Sequence, residues 1–129
     1  MQGKKILIVD DDSEVLEILE RKLKLEGFEV FTATSGQAAV DRTVKEQPDL
    51  ILLDIVLPDI DGSEVVQRIR AHPFIEKNIP VLFLSGIVTG EERDKYMELT
   101  VGGQSYPALP KPITIGDLLT GIRNLLPES

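Results

Sequence analysis

The sequence has no cysteine, no tryptophan and a single histidine, His72. Without cysteine there can be no disulfide, no thiol nucleophile and no cysteine metal site, which is typical of proteins kept in a reducing compartment. Long apolar runs are also absent. Stretches such as residues 6–9 and 81–84 contain four apolar residues, whereas a membrane helix needs about 20, and the run after the first lysines is too short for a signal peptide. We therefore expect a cytoplasmic protein without a membrane segment.

Positive charge is scarce, because 14 lysines and arginines stand against 22 aspartates and glutamates, giving a net charge of −8 and a pI near 4.6. Such a field repels phosphate backbones, so direct binding of nucleic acid is not expected. We expect the partners to be proteins or a cation. The length of 129 residues predicts one domain over residues 1–129, with residues 127–129 as a terminus or the start of a linker.

Residues 49–62 form the most informative stretch. Four consecutive apolar residues lead directly into Asp54, and Pro58 and the Asp61–Gly62 pair indicate that the chain then turns. A short, wholly apolar run flanked by helical patterns is typical of a central parallel strand that is buried on both faces. Open α/β sheets carry their functional groups at the ends of such strands, so Asp54 is a candidate functional residue.

The apolar pattern alternates between the period of a strand and that of a helix. Strands are predicted over residues 4–9, 28–33, 50–54, 81–84 and 106–110. Helices are predicted from Asp12 or Ser13 to Gly27, over residues 37–46, from Gly62 to about His72, over residues 91–99, and from Thr114 to Leu126. The last strand contains two prolines, which are tolerated chiefly at the edge of a sheet. This alternation predicts a doubly wound α/β fold, with a five-stranded parallel sheet, right-handed crossovers and helices on both faces.

Polar side chains follow several of the predicted strands. Because the carboxyl ends of parallel strands share one edge of the sheet, Asp10, Asp11, Asp54, Ser85 and Lys111 are expected to meet there. Carboxylates brought close together raise one another's pKa unless a positive charge is present. Oxygen ligands that are few in number suit Mg²⁺ better than a fully caged Ca²⁺, so we predict a magnesium site.

Four motifs occur in order at the ends of four predicted strands: ILIVDDD, LLDIVLPDIDG, VLFLSG and the KP of LPKPI. Together they resemble the receiver domain of two-component response regulators, and the chain is similar to single-domain chemotaxis-type receivers. The resemblance spans nearly the whole length. It implies a flavodoxin-like fold with the strand order 2-1-3-4-5.

The resemblance also implies a role for each residue at the sheet edge. Asp11 would bind Mg²⁺ directly and Asp10 mainly through water, with Asp54 and the backbone carbonyl of Val56 completing the protein ligands. Asp54 would also be the phosphoryl acceptor.

Two further residues would contact the phosphoryl group. Ser85 would donate a hydrogen bond through its hydroxyl, and Lys111 would neutralise charge. The bond between Lys111 and Pro112 would be cis, as in the family.

The function that this resemblance implies is a switch in two-component signal transduction. A sensor histidine kinase or phosphotransfer protein would supply the phosphoryl group, and a downstream protein target or output domain would read the altered surface. The chain would catalyse only its own phosphorylation and dephosphorylation, so it is not expected to be an enzyme in the usual sense. Pairing of two copies through the last two strand–helix units is an option that the sequence leaves open.

Two alternatives come from other classes of protein. A degenerate receiver that acts only as an interaction module is suggested because Ala108 stands where receivers usually have an aromatic residue three positions before the lysine. Tyr106 is nearby, and we predict that activation does not use the common inward swing of that aromatic. A phosphatase of the haloacid dehalogenase type would need a second acid at the position of Val56, which argues against it.

Other polar residues have simpler interpretations. Asp12 is expected to cap a helix rather than bind metal. His72 lies at a helix end beside a proline and is not expected to be a phosphohistidine or a metal ligand.

Overall fold

The computed structural model describes residues 3–76, 78–85 and 97–126. Its strands are β1 (Lys5–Val9), β2 (Glu29–Ala33), β3 (Leu50–Asp54), β4 (Val81–Ser85), β5 (Met97–Val101) and β6 (Gln104–Pro110). Its helices are α1 (Ser13–Leu25), α2 (Gly36–Glu46), α3 (Gly62–Ala71) and α4 (Ile115–Leu125). Within these ranges no helix is both long and apolar enough to cross a membrane.

The strands form one sheet in the order β2-β1-β3-β4-β6-β5. All neighbouring pairs are parallel except β5 and β6, which are antiparallel. The predicted doubly wound α/β class is confirmed, because the first four strands and β6 follow the predicted order. The sheet has one strand more than predicted, and that strand lies at its edge.

The central strands are buried because helices cover both faces of the sheet. Every residue of Leu50–Asp54 and of Val81–Ser85 is buried. Alternate residues enter two separate clusters: Leu7 and Val9 of β1 pack on one face, and Ile6 and Ile8 pack on the other. A strand that is buried on both faces needs an uninterrupted apolar run, which is what made β3 recognisable in the sequence.

The helices begin at residues with capping side chains. The Asp12 carboxylate accepts hydrogen bonds from the N–H groups of Glu14 and Val15, which confirms its predicted role as the cap of α1. Asp61 and Thr114 cap α3 and α4 in the same way. Helix α3 ends with His72 as its C-terminal cap, as predicted from the proline that follows.

The predicted helix over residues 91–99 is wrong where the structure describes it, because residues 97–99 belong to strand β5. Residues 91–96 lie outside the described residues. Gly102 and Gly103 both have positive φ, 59° and 81°, and two such residues form the turn that joins antiparallel strands. The hairpin therefore overrides the local helix propensity of Met97, Glu98 and Leu99.

The expectation that residues 106–110 form an edge strand is also wrong, since β6 lies between β4 and β5. Its prolines stand at the limits of the ladder with β4, and Pro107 lies opposite Glu98 within the ladder with the edge strand β5. The residues paired with β4 start at Ala108, after Pro107, and end with Pro110 opposite Ser85. No proline interrupts the middle of the ladder with β4.

Candidate functional site

The three predicted acidic residues meet at the carboxyl end of the sheet. Asp10 follows β1, Asp11 is the next residue, and Asp54 is the last residue of β3. Their carboxylates each place one oxygen within 4.8 Å of the others. Asp10 is 0% exposed and Asp54 is 6% exposed, while Asp11 is open to solvent. Two buried carboxylates and an exposed one thus face one small volume.

Lys111 supplies the positive charge of this cluster. Its Nζ lies 2.7 Å from Asp10 Oδ2 and 3.2 Å from Asp54 Oδ2. The lysine follows β6, and its backbone N–H donates to the Ser85 carbonyl oxygen at 2.7 Å. The Lys111–Pro112 peptide bond is cis, as the family resemblance implied.

Ser85 and Val56 border the acidic cluster. Ser85 is the last residue of β4, is 3% exposed and stands in register with Pro110 of β6. Val56 lies two residues after Asp54, and its N–H donates to Asp54 Oδ1 at 3.4 Å. Val56 is 58% exposed. All six predicted site residues are therefore at one end of the sheet.

Gly62 fixes the start of α3 against the end of β3. Its N–H donates to the Ile55 carbonyl oxygen at 2.7 Å, and a Cβ atom at this position would lie 2.8 Å from the Asp54 carbonyl oxygen. That separation is too short for any side chain. The glycine of the Asp61–Gly62 pair, which indicated a turn in the sequence, is thus required by its close packing against the backbone of Asp54.

Burial and charge act in opposite directions on the pKa of Asp54. Burial raises it above 3.8 and the Asp10 carboxylate adds to the rise, whereas Lys111 lowers it in part. For Lys111, burial disfavours the charged form, but the hydrogen bond and the charge of Asp10, together with Asp54, outweigh burial and raise the pKa above 10.5. The lysine is therefore charged at neutral pH and ties two buried carboxylates together.

The donor set fits a small hard cation. The three carboxylates offer only oxygen, the exposed Asp11 gives access from solvent, and one lysine cannot balance three negative charges. A divalent cation beside Asp10, Asp11 and Asp54 would remove the remaining imbalance.

One contact of the site region had no signal in the sequence. Asp59 accepts hydrogen bonds from the backbone N–H groups of Gly36 and Gln37, at 2.8 and 2.9 Å. The partners are more than 20 residues apart in the chain. An aspartate between a proline and a helix start is usually only a loop residue, so sequence alone gave it no further role.

Tyr106 is buried rather than exposed on the edge of the sheet. It is 4% exposed, belongs to the same core cluster as Ala108, and meets Phe83 edge-to-face. Its hydroxyl accepts a hydrogen bond from Arg70 Nε at 3.1 Å and donates to Gln104 Oε1 at 3.3 Å. The prediction that activation does not use an aromatic swing stays a prediction.

Comparison with known families agrees with this geometry. The family model of the response regulator receiver domain matches residues 6–123. The chain therefore belongs to the receiver domain family of two-component response regulators, as the four motifs predicted. The structure of the chemotaxis protein CheY4 from Vibrio cholerae superposes with a TM-score of 0.80 at 27% identity, covering 96% of this chain and 99% of that chain.

The curated relatives are longer proteins. The transcriptional regulatory protein PrrA of Mycobacterium tuberculosis is 39% identical over 122 residues, which are 95% of this chain and 49% of PrrA. The alkaline phosphatase synthesis transcriptional regulatory protein PhoP of Bacillus subtilis is 34% identical over 127 residues, or 98% of this chain and 50% of PhoP. The chain thus spans about half the length of these curated relatives.

Proposed function

We propose that this receiver accepts a phosphoryl group on Asp54, in a magnesium-dependent reaction, from a sensor histidine kinase or a phosphotransfer protein. The observation that carries the proposal is the meeting of Asp10, Asp11 and Asp54 with Lys111 at the ends of separate strands. Such an arrangement places a nucleophilic oxygen, a cation and acidic metal ligands around one point.

Asp54 is the nucleophile in this reaction. One of its carboxylate oxygens forms a bond to phosphorus while the P–N bond to the donor imidazole breaks. The electron pair of that bond stays on the imidazole nitrogen, which then takes up a proton. Lys111 lies 3.2 Å from the carboxylate and favours its ionised, reactive form against the effect of burial.

The remaining groups stabilise charge on the transferred phosphoryl group, which is spread over three oxygens in the transition state. Lys111 can contact one of these oxygens from its position beside Asp54, and the Ser85 hydroxyl can donate a hydrogen bond to another. Ser85 ends the buried strand β4, and Lys111 is held beside Asp54 by its contacts with two carboxylates, so little reorganisation is needed during transfer.

Magnesium, held by Asp10, Asp11, Asp54 and the backbone carbonyl of Val56, would supply further positive charge against the phosphoryl oxygens. The acidic donor set described above supports this ligand assignment.

The consequence of phosphorylation would be a changed protein-interaction surface rather than turnover of a separate substrate. The chain would form a single receiver domain over residues 1–129, act in the cytoplasm, and catalyse only its own phosphorylation and dephosphorylation. The relatives named as transcriptional regulators support a downstream output domain or protein target as the reader of this surface.

The proposal predicts one added phosphoryl group, measured as intact mass after incubation with acetyl phosphate and Mg²⁺. The adduct should be lost in Asp54→Asn and when Mg²⁺ is removed with EDTA, because the acceptor oxygen or the metal is then missing. Asp41→Asn is the matched control, since Asp41 is an exposed aspartate on α2 away from the acidic cluster.

Absence of an adduct with both acetyl phosphate and a phosphohistidine donor would contradict the proposal. It would favour a degenerate receiver that acts as a phosphorylation-independent interaction module. Sustained hydrolysis of a phosphate ester by the wild type would instead favour a phosphatase.

A further inference from the structure

The β3–α3 loop, residues 55–61, contains Val56, and its first residue is hydrogen-bonded to the sheet. The Ile55 N–H donates to the Leu84 carbonyl oxygen at 3.2 Å, and the Ile55 carbonyl accepts from the Gly62 N–H at 2.7 Å. The second bond closes the loop, because it joins the residue that follows β3 to the first residue of α3. The start of the loop therefore cannot move independently of the sheet.

Near its end the loop is hydrogen-bonded to a different element, the N-terminus of α2. The first N–H groups of a helix have no partner within the helix. Ser35 Oγ accepts from the Ala38 N–H at 3.1 Å, and the two oxygens of Asp59 accept from the N–H groups of Gly36 and Gln37 at 2.8 and 2.9 Å. A single carboxylate from outside the helix thus completes the capping of α2.

The chemistry of this contact suits a charged carboxylate. The positive end of a helix favours a negative group. The bonds from Gln37 and Gly36 lower the pKa of Asp59 to about 2, so it is ionised at neutral pH. Asp59 is exposed to solvent, and the two aligned hydrogen bonds, rather than burial, define its position.

Packing holds the next residue of the loop against the same helix. A Cβ atom at position 36 would collide with Ile60 Cγ1 and would lie 2.9 Å from Val65 Cγ2. Only a glycine lets Ile60 approach α2 so closely. The hydrogen bonds of Asp59 and the packing of Ile60 therefore attach two consecutive loop residues to α2.

Between the two attached ends the loop contains Val56, Leu57 and Pro58. Leu57 is buried in the core, whereas Val56 and Pro58 are exposed. We infer that Asp59 is a positioning residue, which clamps the β3–α3 loop to the N-terminus of α2 and thereby fixes the Val56 carbonyl oxygen for Mg²⁺. This inference rests on the proposed function for the metal and extends it to a residue outside the acidic cluster.

The clamp and the metal must affect each other equally. If the attachment of Asp59 to α2 strengthens Mg²⁺ binding, then Mg²⁺ must strengthen the attachment, because coupling free energies are reciprocal. In the wild type, Mg²⁺ should therefore slow hydrogen exchange at the amides of Gly36 and Gln37. This readout reports on the clamp without any phosphorylation.

The test is a titration of the ¹⁵N-labelled chain with MgCl₂, followed by NMR. Asp59→Ala removes both acceptors and should raise the Kd for Mg²⁺ roughly tenfold, the lower end of what loss of a group behind a metal ligand costs. Asp59→Asn keeps one acceptor oxygen and should give an intermediate Kd. Asp41→Asn removes the same charge from the surface of α2, keeps an Oδ1 atom that can accept from Gln37 Nε2 as Asp41 does, and should bind Mg²⁺ like the wild type.

Three results would overturn the inference. The first is an Asp59→Ala variant that remains folded by its NMR spectrum and binds Mg²⁺ as tightly as the wild type. The second is an equal loss in Asp41→Asn, which would indicate a long-range effect of charge. The third is exchange at Gly36 and Gln37 that does not respond to Mg²⁺ in a wild type that binds it. Failure of the wild type itself to bind Mg²⁺ would be recognisably different, since it contradicts the proposed function together with this inference.

Discussion

At the scale of the residue, Asp54 combines two demands that conflict. As the proposed acceptor it must be ionised, yet it is nearly buried and stands beside the buried Asp10. Lys111 reduces the conflict without removing it, because one ammonium group is shared by two carboxylates at 2.7 and 3.2 Å. The negative charge that the proposed reaction needs on Asp54 therefore lowers the stability of the folded state when no cation is bound.

The variant Asp54→Asn should consequently be more stable than the wild type at pH 7 in the presence of EDTA. The pKa of Asp54 in the folded state lies above its usual 3.8, so the folded state binds more protons, and the wild type loses stability as the pH rises between the two values. Asparagine has no such loss. We expect a gain on the order of 1 kcal/mol, after allowance for screening by Lys111 and water, measured by urea unfolding.

The pH dependence provides the control for this prediction. The free energy of unfolding of Asp54→Asn should exceed that of the wild type only slightly near pH 4, and the difference should grow towards pH 7. Asp41→Asn, which alters an exposed aspartate, should show no comparable growth. A variant that is less stable than the wild type throughout this range would mean that loss of the bond to Lys111 outweighs the relief of repulsion.

At the scale of the element, most of the fold could be predicted because local signals and tertiary structure agree. Strands β1, β3 and β4 are short apolar runs, and α1, α3 and α4 begin at residues whose side chains cap them. Strand β5 could not be predicted from its own residues, since Met97, Glu98 and Leu99 favour a helix and only the pairing with β6 makes them a strand. The available signal was the Gly102–Gly103 pair followed by a strand.

Tyr106 joins the hairpin of β5 and β6 to α3, beside Val101 of the same core cluster. The Tyr106 ring packs on Phe83, and its hydroxyl accepts a hydrogen bond from Arg70 Nε. Arg70 also donates from Nη2 to the Ile79 carbonyl oxygen at 2.7 Å, so the guanidinium bridges the hairpin and the approach to β4. Tyr106 is thus part of the core and of the contact with α3, a role that its spacing in the sequence did not predict.

The variant Tyr106→Phe should destabilise the protein by about 1–2 kcal/mol, because the ring stays buried while Arg70 Nε loses its acceptor in a partly buried site. The change is measured as the free energy of unfolding in urea. Ser105→Ala is the matched control on the same strand, since it removes an exposed hydroxyl that donates to Glu98 Oε2 at 3.3 Å and should change stability by less than about 0.5 kcal/mol. Equal effects of the two substitutions would show that the bond from Arg70 to Tyr106 contributes no more than an exposed hydrogen bond.

At the scale of the whole molecule, the site exists only in the folded chain. Asp10 and Lys111 are 101 residues apart in the sequence and 2.7 Å apart in space. Their meeting could be predicted because parallel strands share one carboxyl edge. The contact of Asp59 with α2 could not be predicted, because it depends on how the β3–α3 loop packs on a helix that comes earlier in the chain. No periodic pattern in the sequence indicates such a contact.

Because the unfolded chain scatters these ligands, Mg²⁺ should bind the folded state alone and stabilise it. At a concentration of ten times Kd the gain is about 1.4 kcal/mol, which should raise the Tm of a domain of this size by roughly 3–6 °C. Asp54→Asn lacks one metal ligand and has less repulsion between carboxylates without metal, so Mg²⁺ should raise its Tm less than that of the wild type. The difference between the two Tm values should therefore become smaller as Mg²⁺ is added. Parallel melting curves with MgCl₂ and with EDTA measure this. An equal rise in both proteins would mean that Asp54 is not a ligand, and no rise in the wild type would mean that the acidic cluster holds no Mg²⁺ at these concentrations.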